Sequence, residues 1–303
     1  NVHSGLSALS GASLQCSRLL LEEIEGTIGP GGVIDAASKL KLIDSKVRKN
    51  TGPILVDDFE TGAGGAFWAH TNSELHLIDS EVSDNEAFRG SGIAVSTGSR
   101  LIMERSSIKN NHPNSPDYDM PYWFDHSACG GGVLLLEGHL TMLEGSEISY
   151  NEARFGGGVQ VGAGSTLVGK SSYIGYNGGP ANAAGAQIFL GGGGWFHMEL
   201  GSSESVASGL PDPKVELFDM TIEHKCEWDQ IREHRGGRMA YPMQGLASSS
   251  AFAYSMEWLA DGSAGHFNFG EVPGIDRIVD FDGKPLDIRN SRISVSECDD
   301  RMA

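Results

Sequence analysis

The sequence predicts an all-β protein wound as a single-stranded parallel β-helix, a solenoid with about 26 residues per coil and lateral loop insertions. Three observations predict it. The register Ser-x-(Val/Ile)-x-x-Asn recurs as Ser45-Val47-Asn50, Ser80-Val82-Asn85, Ser106-Ile108-Asn111, Ser146-Ile148-Asn151 and Ser172-Ile174-Asn177. Its asparagines lie 35, 26, 40 and 26 residues apart, a unit of 26 that carries insertions of 9 and 14 residues in two of the gaps. Upstream of each register runs an apolar alternation (Leu40-x-Leu42, Leu75-x-Leu77, Leu101-x-Met103, Leu140-x-Met142), the period of a half-buried strand. Downstream comes a glycine-rich turn and a second apolar run: Gly64-Gly65-Ala66-Phe67, Gly90-Ser91-Gly92-Ile93, Gly130-Gly131-Gly132-Val133 and Gly156-Gly157-Gly158-Val159.

Each unit therefore reads as strand, turn, strand, turn, and Leu21, Val47, Val82, Ile108, Ile148 and Ile174 fall at one equivalent position. One unit has too few apolar residues to build a core of its own, so the units must stack. Equivalent residues then pair with their counterparts above and below at about 4.8 Å, leaving aliphatic rows inside and glycines at corners that need positive φ or close backbone approach. Asn50, Asn85, Asn111, Asn151 and Asn177 are expected to form a structural ladder, because asparagine accepts a left-handed corner and stacked amides bond from coil to coil; ligand contact is the other reading. The serines of the register are expected to satisfy corner backbone groups.

The pattern continues more loosely through Val215-x-Leu217-x-Asp219-x-Thr221-Ile222 and Leu286-x-Ile288-x-x-Ser291-x-Ile293. Residues 1–303 are thus expected to form one β-helix domain, with insertions near 51–60, 112–128 and 226–280. The chain starts at Asn1 and its first residues do not read as a signal peptide. The coil pattern fills it almost end to end, so we expect a section of a longer protein or assembly.

Composition narrows the partners. There are 22 Lys and Arg against 40 Asp and Glu, a formal charge of −18, which argues against nucleic acid because phosphate binding needs a basic face. No apolar run reaches the roughly 18 residues of a membrane-spanning helix, so no direct membrane span is expected. Cys16, Cys129, Cys226 and Cys298 form no CxxC pair, and no zinc or other metal site is expected from them. Cys16 falls at an inward position and reads as a buried thiol; Cys129 adjoins a glycine corner. Cys226 and Cys298 lie just beyond Ile222 and Ile293, and a disulfide between them is expected if those coils are neighbours. No Asn-x-Ser/Thr sequon occurs.

The runs Ile148-Ser-Tyr-Asn151-Glu-Ala153-Arg-Phe-Gly156-Gly-Gly-Val159 and Val82-Ser-Asp-Asn85-Glu-Ala87-Phe-Arg-Gly90-Ser-Gly-Ile93 resemble the repeat of the chlamydial polymorphic outer-membrane proteins, with Val or Ile where that repeat has Phe. More broadly, the chain resembles right-handed parallel β-helices of the pectin-lyase-like kind. That resemblance implies a right-handed coil and two classes of function: surface adhesins or structural stalks, and polysaccharide lyases or hydrolases. Fold alone does not choose between them.

A β-helix glycosidase needs carboxylates converging on one face, and a lyase needs a base beside acidic groups that hold calcium. A Gly-His-Gly or an Asn-x-Asp followed by paired aspartates and an Arg-x-Lys is missing; Gly138-His139 and Gly265-His266 are half matches, and Asp57-Asp58 reads as a solvated loop. The most unusual loop, 112–128, gathers Tyr122, Trp123 and Phe124 with Asp117, Asp119, Asp125 and His126. Aromatics beside carboxylates suit a carbohydrate or protein contact, while packing against the solenoid is the other reading. Asp125 and His126 are the weak catalytic candidates. A second insertion lies between Ile222 and Ile293, with a helix expected over Leu246 to Ala260 and a basic cluster of Lys225, Arg232, Arg235 and Arg238. No cofactor is expected; calcium is the ion an acidic extracellular solenoid would most often bind, with no site assignable. The reading is a non-enzymatic structural or adhesive module of an extracellular or cell-surface assembly, meeting other subunits or copies of itself at the solenoid ends, with carbohydrate as a candidate partner. The alternative is a polysaccharide lyase or glycoside hydrolase acting on the lateral face.

Overall fold

The computed structural model describes residues 5–26, 31–52, 63–114, 130–153, 156–162, 164–178, 188–190, 214–224, 287–289 and 292–295. All strands described in them pair in parallel, in three long sheets that wind around one core and one short two-stranded sheet. Sheet A orders Leu6–Ala8, Gly32–Ile34, Phe67–Ala69, Ile93–Val95, Val133–Leu135, Val159–Val161 and Ile188–Leu190. Sheet B orders Ser13–Ser17, Lys39–Ile43, Glu74–Ile78, Arg100–Glu104, His139–Leu143, Thr166–Lys170, Lys214–Phe218 and Asp287–Arg289. Sheet C orders Leu20–Glu22, Lys46–Arg48, Glu81–Ser83, Ser107–Lys109, Glu147–Ser149, Tyr173–Gly175, Thr221–His224 and Arg292–Val295. The chain visits A, B and C once per coil, which is a parallel β-helix.

The core consists of rows of equivalent side chains. Leu40, Leu75, Leu101, Leu140 and Leu167 stack in sheet B, and Val47, Val82, Ile108, Ile148 and Ile174 stack in sheet C; all are buried. Burying each such side chain is worth about 1.5–3 kcal/mol, and the coil-to-coil pairing keeps every row dry. One row shows how volume is balanced. Leu42, Leu77, Met103 and Met142 are followed by Gly169, and the Met220 sulfur fills the gap, 2.7 Å from where a Cβ on Gly169 would sit.

Two expectations need correction. Each coil carries three long-sheet strands rather than two, because the apolar alternation and the Val/Ile position belong to different sheets. A left-handed residue divides them: Asp44 (φ 49), Asp79 (φ 48), Arg105 (φ 46), Ser171 (φ 49) and Asp219 (φ 52) each turn the chain between sheets B and C. Cys16 is a free thiol, as expected, yet only half-buried, since it lies on the first coil, against Leu42 on one side only.

The insertions leave the register untouched. Val47 pairs with Val82 and Ile108 with Ile148 directly, so the 9- and 14-residue additions do not shift the pairing. Ile222 likewise pairs with Ile293, which makes those coils neighbours. Cys129, Cys226 and Cys298, the expected helix over Leu246 to Ala260 and the basic cluster lie outside the described residues.

Candidate functional site

The register's polar residues are tied up in coil-to-coil bonds. Asn50 Nδ2 donates to Asn85 Oδ1 at 2.8 Å, Asn85 to Asn111 at 2.9 Å, Asn111 to Asn151 at 2.8 Å and Asn151 to Asn177 at 3.0 Å. The backbone N–H of each of the first four donates to the same acceptor oxygen of the next coil. Nδ2 also reaches back to a carbonyl of the preceding coil, Asn85 to Val47, Asn111 to Val82, Asn151 to Ile108 and Asn177 to Ile148. All five residues are buried, so these bonds remove groups that would otherwise be costly to desolvate. Ser45, Ser80 and Ser106 form a second row at the corner between sheets B and C: each hydroxyl caps the carbonyl two residues back and accepts the N–H of the preceding coil.

A third polar row was not read from the sequence. Ser38, Ser73, Ser99 and Ser165 are buried between sheets A and B, where Ser73 N–H donates to Ser99 Oγ at 3.1 Å and Gly138 N–H to Ser165 Oγ at 3.2 Å. Its signal is a serine two residues ahead of Leu40, Leu75, Leu101 and Leu167. Gly138 takes that place before Leu140, where a Cβ would lie 2.8 Å from the Val95 carbonyl oxygen.

The insertions emerge from one corner. Past the asparagine ladder, the short strands Glu86–Ala87 and His112–Pro113 pair, and Asn114 Nδ2 donates to Gly52 O at 2.6 Å. That bond joins the root of the loop after Gly52 to the root of the loop after Asn114, so both insertions rise from adjacent places beside sheet A. Asp117, Asp119, Tyr122, Trp123, Phe124, Asp125 and His126 belong to the second loop and lie outside the described residues; Asp57 and Asp58 lie in the first and do so too.

From Trp68 to Gln160 the neighbouring outward face of sheet A is buried. Trp68, Ala94, Leu134 and Gln160 follow one another across the strands at 0–2 % exposure. Trp68 stacks on His70 with ring centroids 4.5 Å apart, and it forms a small apolar cluster with Ala63 and Ala94. Trp68 Nε1 and both amide atoms of Gln160 are buried without a hydrogen-bond partner. The sequence held a sign of this face: period two sets Trp68, Ala94 and Leu134 outward, where a solvent-facing strand would carry polar residues.

The family model for the right handed beta helix region matches residues 31–199, more than half of the chain and the part that holds the whole asparagine ladder. The chain belongs to the right-handed beta helix family. Neither a curated protein nor a solved structure matches it. Within this β-helix, the outward faces of sheets B and C carry ion pairs between adjacent coils. Arg105 grips Asp79 through two bonds, at 2.7 and 2.9 Å, which hold the Asp79 carboxyl below its ordinary pKa and raise that of Arg105. Hydrogen bonds from Arg48 and then Lys49 hold Glu22 low in the same way. Burial pushes Glu81 up, but Lys109 at 2.9 Å and the Ser83 hydroxyl outweigh it, leaving a net lowering. His139 is lowered by burial and then by Arg100. Among the described residues, no three His, Cys, Asp or Glu side chains stand together as a metal site.

Proposed function

We propose that this β-helix is a non-enzymatic structural or adhesive module of an extracellular or cell-surface assembly, in line with the resemblance of its repeats to those of the chlamydial polymorphic outer-membrane proteins. The observation that carries the reading is the ladder itself: the repeated polar side chains are engaged from coil to coil rather than turned toward a ligand. A chain whose most regular chemistry is internal is a scaffold, and scaffolds of this kind act by presenting lateral loops and by stacking on further protein. The partners we assign are other subunits or copies of the chain. They would meet the first coil, where Leu6, Leu14, Cys16 and Leu21 are only partly covered and Leu20 is 52 % exposed.

The test has two arms. Sedimentation of the purified chain over a range of concentrations is expected to show self-association that Leu14→Lys with Leu20→Lys weakens. Incubation with pectate, alginate, xylan and β-glucan is expected to release no reducing ends and no unsaturated products. Turnover of any of these would overturn the non-enzymatic reading in favour of a lyase or hydrolase on the lateral face, and unchanged sedimentation in the variant would remove the first coil as the contact.

A further inference from the structure

Sheet B opens on the strand Ser13–Ser17, which pairs with Lys39–Ile43 on one side and with no described strand on the other. Lys39 N–H donates to Ala12 O at 2.8 Å and Arg18 N–H to Ile43 O at 2.9 Å, so by alternation the backbone groups of Leu14 and Cys16 also face the second coil. Those of Ser13, Gln15 and Ser17 face away from it, and all three residues are exposed. An open row of this kind is a template for another strand, and proteins commonly blunt it with charge. Here the charge is missing where it is needed. Each strand of sheet B from Lys39–Ile43 to Lys214–Phe218 sets a charged or titratable side chain outward, as Lys41, Glu74, Arg100, His139 and Lys170 do, although those strands are covered on both sides. Ser13–Ser17 has none, and its sequence, Ser-Leu-Gln-Cys-Ser, is close to a palindrome.

We propose that two copies of the chain join head to head through this strand, as a closed twofold dimer in which sheet B runs on from one copy to the other. With the axis through Gln15, antiparallel pairing sets Ser13 opposite the partner's Ser17, Leu14 opposite the partner's Cys16 and Gln15 opposite the partner's Gln15. Hydroxyl meets hydroxyl, apolar meets apolar and amide meets amide, which is the self-complementarity a twofold contact requires. An unrelated strand has no reason to match that order. The axis runs normal to sheet B into the solenoid, so it lays Leu6–Ala8 of one copy across Leu20–Glu22 of the other. Leu6, Leu14, Cys16 and Leu21, which the first coil leaves partly covered, then become the inside of the joint. The chain's charge of −18 opposes association, yet the charges of the first coil are drawn toward the second: Arg18 pairs with Asp44, and Glu22 and Glu23 pair with Lys49. A first coil stacked instead on the far end of another copy leaves a free end at each step and grows without limit.

This dimer rests on the scaffold reading above and supplies its partner, face and symmetry. The test is sedimentation equilibrium of the full chain in reducing buffer, for the wild type, Gln15→Lys, Gln15→Glu and an equimolar mixture of the two variants. The expected result is a monomer–dimer equilibrium in the wild type, weakened about tenfold or more in each variant alone, where like charges oppose each other across the axis, and restored in the mixture, where opposite charges meet. Gln15 is exposed, so neither substitution disturbs the fold, and recovery in the mixture shows that both variants are intact. Growth beyond the dimer, variants that dimerise as the wild type does, or a mixture no tighter than its components overturns the twofold joint. Self-association that Leu14→Lys with Leu20→Lys weakens and the Gln15 variants do not refutes this geometry while leaving the first coil as the contact; a chain monomeric at every concentration refutes both.

Discussion

Asn111 sits in the middle of its row, and its side chain takes part in five hydrogen bonds at once. It donates to Asn151, Val82 and Lys109, and its oxygen accepts both the N–H and the amide of Asn85. Asn111→Ala strands several of these buried groups, each at about 1–3 kcal/mol, so a loss of about 3 kcal/mol or more is expected in urea unfolding. Asn110→Ala, one residue earlier and exposed, should cost about 1 kcal/mol, the difference between asparagine and alanine in a left-handed corner. If the two variants lost equal stability, the ladder would be incidental. The asparagines were legible because they repeat at a fixed spacing. Gln160 was not: apolar residues at the outward positions of Trp68, Ala94 and Leu134 hint at a covered face, but a glutamine in the same row reads as solvent-facing.

At the scale of one element, the corner glycines divide into those that need space, as Gly132 before sheet A, and those that need only a backbone angle, as Gly145 between sheets B and C. A Cβ on Gly132 would lie 2.6 Å from the Gly158 carbonyl oxygen and 3.0 Å from Asn151 Nδ2, both fixed by the neighbouring coil. A Cβ on Gly145 would meet nothing within 4 Å, although φ there is +70°. Gly132→Ala is therefore expected to lower the thermal midpoint clearly more than Gly145→Ala, which should cost only the left-handed penalty of about 1–2 kcal/mol. Comparable melting of the two would show that the coils part easily at sheet A. The strands of sheet B were readable as alternation because five residues show a period. The three-residue strands of sheet C show none, so the register's Val and Ile looked like the tail of the preceding strand until the corners at Asp44, Asp79 and Arg105 separated them.

Over the whole molecule, each coil touches the coil before and the coil after, so stability is a sum of neighbour terms. Coils with a partner on both sides should open last. Native-state hydrogen exchange is expected to protect Ile108 and Ile148, each paired on both sides and wholly buried, well beyond Leu20 and Leu21 on the first coil. Uniform protection from coil to coil would instead mean that the stack opens as one unit. The coiled architecture was legible from the repeat alone, whereas the candidate loop of 112–128 was legible only as composition, because an insertion outside the register has no neighbour term to specify it.

The left-handed corner ahead of the asparagine ladder has a different kind of consequence. Its backbone is held by bonds that the neighbouring asparagine makes, and strand pairing fixes the interval between coils near 4.8 Å. The five occupants, Lys49, Asp84, Asn110, Tyr150 and Tyr176, are a base, an acid, an amide and two phenols, and the corner turns the same way beneath each of them. The row is in effect a ruled scale whose marks can be rewritten singly: new chemistry can be set at a chosen height along the rod without renegotiating the fold that carries it.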